Sequence, residues 1–577
     1  MSIIGKRLVG KRIRHHPYLA IDTENRQDGS FILGCLYGKT GVGYGKIVDI
    51  EKVFTDRWEM QKYLMGLREE KDKQKSTILI GWNVGYDAEY LKEILDEKTR
   101  IETNGRLLTI RLKNGLKVVD AMNYTRRPLA SWITSLKMEE QGITKIEFGD
   151  GKAEGLSQEM LTLRCMNDAK ATYRFIEWLE DFIVYDLKIP LGLTTAKNAL
   201  TLWSTHHAKE VWERDDKYNE FERKAYRGGR AEVFKKGEKE VFQFDVNGMY
   251  LSVMRDNYFP NPSSVRHYET GEGWREFFDN YNMILDCVVE VPEQYIAPLP
   301  YRTPAGKLIF PTGTFRGCFT SPELIESSKY GVRVLKVFEY NVYGKSGDYF
   351  KSFAEYVNQK RQEFKKSGNK AADEMIKDIG NSLYGKFGQT NYSTKYIPLE
   401  DYDGDISGKE IIYSVDGIVY VIEKENPEDT QHTAPVLSLF ITSYARIKLL
   451  KWLKEFEPYV VYCDTDSIHL TEKVIEGSNE IGELKFEGTT KQHYYTPKYY
   501  GEKHKGVPKR AEKIYEDEHE SIWKFTKPIK RKEGIRQKKV VNSWVEHEKI
   551  LTKIDTKRVW NEEKKDSRPI DLTYKDL

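Results

Sequence analysis

The sequence predicts an α/β protein built from several domains, and three observations predict it. Its 577 residues exceed what one hydrophobic core organises. Up to about Ile189, period-two apolar patterns alternate with helical ones, including an Asn114-Gly115 turn between two strand patterns. β-prone segments far apart in the chain deliver carboxylates: Asp22 and Glu24, then Asp245, then Asp464 and Asp466.

The first of these, Leu19-Ala20-Ile21-Asp22-Thr23-Glu24, is an apolar strand pattern that puts two acids at i, i+2 on one face, an arrangement suited to metal ligands. A second strand pattern, Ile78-Leu79-Ile80-Gly81-Trp82, ends in Asn83, Tyr86 and Asp87. Asp168 lies in a helical pattern from about Ser157 to Trp178. Pro190 and Gly192 then mark a linker.

Phe242-Gln243-Phe244-Asp245-Val246-Asn247-Gly248-Met249-Tyr250 reads as a strand running through a turn into a helix, with Asp245 at the strand end. An Asp in that place is also a common helix cap. A Pro- and Gly-rich stretch follows around Pro298-Leu299-Pro300 and Phe310-Pro311-Thr312-Gly313. A helix beginning near Tyr349 places Arg361 and Lys365 at i, i+4, which alone is equally a solvated charged face. In the next helical segment Lys377, Asn381 and Tyr384 share one face, joining a cation, an amide and an aromatic ring as a nucleotide requires. Residues 389–432 carry β patterns around Ile411 and Ile422 and an acidic turn near Asp403.

In Tyr462-Cys463-Asp464-Thr465-Asp466-Ser467, the flanking Val460, Val461 and Ile468 read as strand, so Asp464 and Asp466 are expected on one face. An Asp-x-Asp is common in acidic turns, but this one sits among apolar residues. Like charges so placed call for a cation between them, and a divalent pair holding a triphosphate fits best.

Composition sets outer limits. The formal net charge of +3 places nucleic-acid binding on local tracts, Lys505 to Lys513 and Lys524 to Lys539, where basic and aromatic residues interleave. Five cysteines without a CxxC pair point to a reducing compartment and no structural zinc. No apolar run is long enough for a membrane span and the basic N-terminus lacks a signal-peptide core, so a cytoplasmic, non-membrane protein is expected.

With these residues in place, the chain resembles family B DNA polymerases, most closely the protein-primed bacteriophage branch of phi-29 type. Asp245-Val246-Asn247-x-x-Tyr250 is similar to motif A, Lys377-x-x-x-Asn381-Ser382-Leu383-Tyr384-Gly385 to motif B, and Tyr462-Cys463-Asp464-Thr465-Asp466-Ser467 to motif C. Tyr226-Arg227-Gly228-Gly229 resembles the YxGG linker motif, and Lys498-Tyr499-Tyr500 the primer-contacting KxY motif. The resemblance implies an RNase H-like 3′-5′ exonuclease domain over 1–189 and a right-hand polymerase. Its palm would span 190–256 and 433–526, its fingers 351–388 and its thumb 527–577, with insertions at 257–350 (terminal-protein docking) and 389–432 (strand displacement).

By the same resemblance, Asp245, Asp464 and Asp466 with the Val246 carbonyl would hold two Mg2+ ions, Mn2+ being able to substitute. Tyr250, Arg361, Lys365, Lys377, Asn381 and Tyr384 would bind the dNTP, Tyr250 excluding a 2′-hydroxyl. Asp22, Glu24, Asp87 and Asp168, with Lys145, would hold two metals for proofreading. Asn83, Tyr86, Met122, Tyr226, Gly228, Gly229, Thr465, Lys498 and Tyr500 would contact DNA. The implied partners are template and primer DNA, dNTPs and a terminal protein primer, with the polymerase a monomer replicating a linear phage or plasmid genome.

Three positions depart from the family pattern. Arg164 stands four residues before Asp168 where a tyrosine usually orients the attacking water, so either Tyr173 or Lys145 takes that task or the exonuclease is weakened. Asn25 and Ala121 replace hydroxyl residues that grip single-stranded DNA. Other classes fit less well. A reverse transcriptase carries adjacent acids in its YxDD and lacks the N-terminal acids. A free-standing nuclease leaves the last two-thirds of the chain without a task, and a non-catalytic DNA-binding factor would have lost carboxylates. DNA-only priming is an alternative that the sequence leaves open.

Overall fold

A computed structural model of the chain describes residues 2–5, 16–26, 30–42, 46–67, 77–103, 106–146, 156–391, 394–402, 404, 410–414, 419–424, 428–500, 511–533 and 539–574. The acidic turn near Asp403 and the basic tract through Arg510 lie outside these residues.

A seven-stranded mixed sheet organises the N-terminal third. Its central strands Tyr18–Asn25, Ile78–Gly81 and Lys117–Asp120 run parallel, and antiparallel strands flank them on both sides. Leu19, Ala20 and Ile21 are apolar on both faces because this centre is covered on both faces. One cover is the helix Gln158–Asp181, started by Ser157, whose hydroxyl accepts the Met160 N–H. Trp132, Phe175, Trp178 and Phe182 pack in sequence against one another, and Phe182 reaches Phe364 of the distant helix Lys351–Lys366.

A second sheet lies at the centre of the molecule. Its six strands run in the order Ala231–Val233, Val460–Asp464, Ser467–Leu470, Gly237–Val246, Leu484–Thr496 and Tyr499–Tyr500, so its middle is assembled from segments more than 200 residues apart. The helix Pro435–Glu455 is buried on every face from Pro435 to Ser443, which explains why that stretch carries no charged residue. The helices Lys351–Lys366 and Lys370–Phe387 pack on each other as a hairpin. Arg127 joins the second of them to the N-terminal unit through Glu374 (3.3 Å) and Asp378 (3.6 Å).

Residues 257–350 form their own antiparallel sheet, and the C-terminal strand Asp571–Leu572 adds to it in parallel beside Thr312–Thr320. The segment expected as a second insertion joins the C-terminal strands. Its strands Thr394–Pro398, Glu410–Ser414 and Val419–Lys424 share one sheet with Glu512–Glu516, Glu520–Glu533 and Lys539–Thr552. Glu520–Glu533 runs unbroken across the boundary expected at 526/527.

Candidate active site

Strand Gly237–Val246 ends at the turn residue Gly248 (φ 61°), which a side chain would strain, and the helix Met249–Asp256 begins there. Beside it, Asp464 and Asp466 do not lie on one continuous strand as expected. The chain reverses at Thr465 (φ 63°) into a hairpin, with Asp464 ending one strand and Asp466 in the turn. The Val246 N–H donates to the Asp466 carbonyl (2.6 Å), fixing the two acid-bearing segments together. The Thr465 N–H donates to the Arg230 carbonyl (2.7 Å), and a β-carbon at Gly229 would stand 2.7 Å from the Thr465 hydroxyl. Glycine there is what lets the Tyr226-Arg227-Gly228-Gly229 segment press on the hairpin.

A cavity of about 550 Å3 opens above these segments. Asp245, Val246, Tyr250 and Asp466 line it from the sheet side, and Arg361, Lys365, Lys377, Asn381 and Tyr384 from the helical hairpin. These nine residues, spread over more than 200 positions, were singled out in the sequence. Lys485, Glu487, Asn479 and Gln362 also line the cavity and were not. Lys485 stands opposite Asp245 in strand register, a placement with no local signal. Tyr250 and Tyr384 stack with centroids 4.2 Å apart at 25°.

Charge in the cavity is divided. Asp466 is pushed up to about 6 by burial and by Asp245 and Asp464. Lys365 is pushed below its ordinary value by burial and by Arg361, Lys485 and Lys377. Asp245 and Asp466 thus share one cavity with Lys365 and Lys377, which suits a divalent metal with a polyphosphate. Arg361 donates its Nε to Asp373 (2.9 Å), and Lys485 gives its ammonium to Glu487 (2.6 Å).

Asp464 and Lys498 are not placed as expected for a cavity ligand and a free primer contact. Asp464 does not line the cavity, and the Lys498 ammonium donates to both its oxygens (2.9 and 3.0 Å). Burial of Asp464 requires a counter-charge, and Lys498, with left-handed backbone (φ 67°), is turned to supply it. Tyr500 joins an aromatic cluster with Tyr462, Tyr494 and His469.

The N-terminal acids gather as the sequence indicates. Asp22 is pushed well above its ordinary value by burial and by Asp168, Asp87 and Glu24. Asp87 is pushed up to about 7 by burial, although the Thr23 hydroxyl donates to it at 2.7 Å. Lys145 pairs with Asp168, whose other oxygen, Oδ1, is buried without a hydrogen-bond partner. Arg164 pairs with Glu24 (3.1 Å). Tyr173 gives its hydroxyl to Glu177 and packs edge-on against Tyr37. The buried Asp120, missed in the sequence, accepts from the N–H groups of both Asn83 (3.0 Å) and Met122 (2.9 Å) and so fixes two loops beside the acids. Tyr86 is 39 % exposed at the rim.

Among the described residues no three acidic or histidine side chains already close on a common point. Lys498, Lys145 and Arg164 hold three of the acids aside. The crowded carboxylates and the orphaned Asp168 oxygen nevertheless match the hard oxygen donors that Mg2+ or Mn2+ takes.

Among known proteins, the family model for DNA polymerase type B, organellar and viral, matches residues 136–474. A probable DNA polymerase of Ascobolus immersus is 27 % identical over 296 residues, 48 % of this chain and 24 % of that protein. The DNA-directed DNA polymerase of Enterobacteria phage PRD1 is 27 % identical over 404 residues, 66 % of this chain and 65 % of that protein. The chain therefore spans from about a quarter to about two-thirds of the length of these relatives. In fold it is similar to phi29 DNA polymerase solved with primer-template DNA and incoming nucleotide, with a TM-score of 0.65 at 16 % identity, covering 93 % of this chain and all of the other. No helix among the described residues is long and apolar enough to cross a membrane. The match over more than half its length makes the chain a member of the organellar and viral type B DNA polymerases.

Proposed function

We propose that the chain is a template-directed DNA polymerase that adds dNTPs to a DNA or protein primer, with a separate 3′-5′ exonuclease site and strand displacement. It would replicate a linear phage or plasmid genome in a host cytoplasm. The observation that carries this reading is the single cavity in which Asp245 and Asp466 face Arg361, Lys365 and Lys377. When bound, two divalent ions would supply Lewis-acid activation of the primer hydroxyl and charge stabilisation of the leaving pyrophosphate.

This chain's residues do the rest. Asp245, Asp466 and the Val246 carbonyl would hold the metals, while Asp464, locked by Lys498, props the hairpin from outside the cavity. Lys377 and Lys365 bind the triphosphate, and Arg361, oriented by Asp373, presents its remaining N–H groups to it. Tyr250 and Tyr384 occupy each other's faces and must part for a sugar to enter, which leaves the Tyr250 ring against the 2′ position. Asn381 completes the nucleotide side. Gly228, Gly229, Tyr226, Thr465 and Tyr500 line the route of the duplex beyond the hairpin.

In the N-terminal unit Asp22, Glu24, Asp87 and Asp168 would hold metals for hydrolysis of the terminal phosphodiester, with Lys145 beside the scissile phosphate and Asn83, Tyr86 and Met122 holding the single strand. The sheet of 257–350 is the surface for a terminal protein whose hydroxyl primes synthesis, and the 389–432 strands, continuous with the C-terminal sheet, would embrace the template. The chain would work as a monomer. Extension of a 5′-labelled primer with Mg2+ and dNTPs tests the core claim. Extension is expected from the wild type and none from Asp466→Ala; extension by Asp466→Ala equal to wild type would exclude this cavity as the site.

A further inference from the structure

We propose that Arg164 is a built-in counter-ion that competes with the divalent cation for Glu24; this rests on the exonuclease reading of the N-terminal acids. The helix Gln158–Asp181 carries Arg164 and Asp168 one turn apart, so a cation and an acid reach the cluster from one helix face. Across the cleft Arg164 Nε lies 3.1 Å from Glu24 Oε1, with the two side chains 15 % and 10 % exposed. So little water leaves the attraction largely unscreened. Lys145 answers Asp168 from a third segment, the Thr23 hydroxyl serves Asp87, and Cys165 Sγ donates to the Asp22 backbone carbonyl.

A guanidinium stays charged at every working pH. Glu24 can therefore enter metal coordination only by leaving a permanent positive charge or by sharing its oxygens with one. Either way the site binds metal more weakly than its four acids would alone.

The test is Mn2+ titration at pH 8, followed by electron paramagnetic resonance without DNA. It uses the full chain carrying Asp245→Ala and Asp466→Ala, which silences the other cavity. Arg164→Met is expected to tighten Mn2+ binding at least tenfold, and Arg164→Lys, which keeps a charge, to change it less than threefold. Unchanged or weaker binding by a folded Arg164→Met protein would overturn the proposal, as would tightening by Arg164→Lys equal to that by Arg164→Met. If Arg164→Met fails to fold, Arg164→Gln decides in its place: tightening of at least tenfold is expected, and unchanged or weaker binding by the folded protein would overturn the proposal. Asp22→Ala with Asp87→Ala serves as the control for the underlying reading. Binding that survives this pair would show that the acids are not the metal site, and the proposal would fall with that reading.

Discussion

Lys377→Ala is expected to weaken nucleotide binding far more than Lys485→Ala, although both ammonium groups line the same cavity. Lys485 shares its charge with Glu487 at 2.6 Å, so the pair offers an incoming triphosphate almost no net charge. Lys377 forms no ion pair among the described residues and keeps a whole charge for the ligand. A unit charge about 4 Å from a phosphate oxygen contributes about 4 kcal/mol at an effective dielectric of about 20. Lys377 is exposed, and water halves that to about 2 kcal/mol, or about 30-fold in affinity. For Lys485 the loss of a neutral pair should stay below about threefold. Single-nucleotide addition at varied dNTP concentration separates KM from kcat and reads both variants. A KM rise for Lys485→Ala equal to or above that for Lys377→Ala would refute the charge assignment.

Three further outcomes are expected. Tyr250→Val should admit ribonucleotides by opening the 2′ side of the cavity, and an unchanged dNTP-to-rNTP ratio of kcat/KM would remove that role from the ring. Lys386 is pushed down to about 8 by burial and by Lys197, so between that value and its ordinary 10.5 the unfolded chain holds a proton that the folded chain has shed. Stability should therefore rise with pH through this window, and Lys386→Met should raise the urea midpoint at pH 7 and flatten the rise, followed by tryptophan fluorescence. Glu232 is fully buried between Arg230 (2.5 Å) and Arg558 (3.5 Å), and Glu232→Ala would strand two buried guanidinium groups at a cost of about 3–5 kcal/mol. Hydrogen exchange should then report loosening of the C-terminal hairpin Arg558–Asn561 and Asp566–Pro569; unaltered protection there would contradict the clamp.

Much of the site was legible because it is written in local periods. A strand that ends in Asp245, a helix face carrying Lys377, Asn381 and Tyr384, and two acids at i, i+2 in Tyr18–Asn25 are each fixed by the backbone's own repeat. What stayed hidden depends on contacts between distant segments or on unusual backbone. Thr465 at φ 63° turns a strand-like string into a hairpin, a conformation that a β-branched residue rarely adopts. The 3.1 Å approach of Arg164 to Glu24 spans 140 positions, and Lys485 reaches the cavity only because its strand pairs with Gly237–Val246. The sheet shared by residues 394–424 and 512–552 likewise follows from pairing of Tyr413 and Ser414 with Glu546 and Val545, which no local pattern encodes.

The most direct test of two separate sites in one chain follows a single labelled primer on a long single-stranded circle with Mg2+ and dNTPs, comparing wild type, Asp466→Ala, and Asp22→Ala with Asp87→Ala. The account predicts products longer than one circle from the wild type and from the Asp22/Asp87 variant, and primer shortening without extension from Asp466→Ala. Extension lost together with shortening in the Asp22/Asp87 variant, or shortening that survives in it, would contradict the division of labour between the cavity and the N-terminal acids.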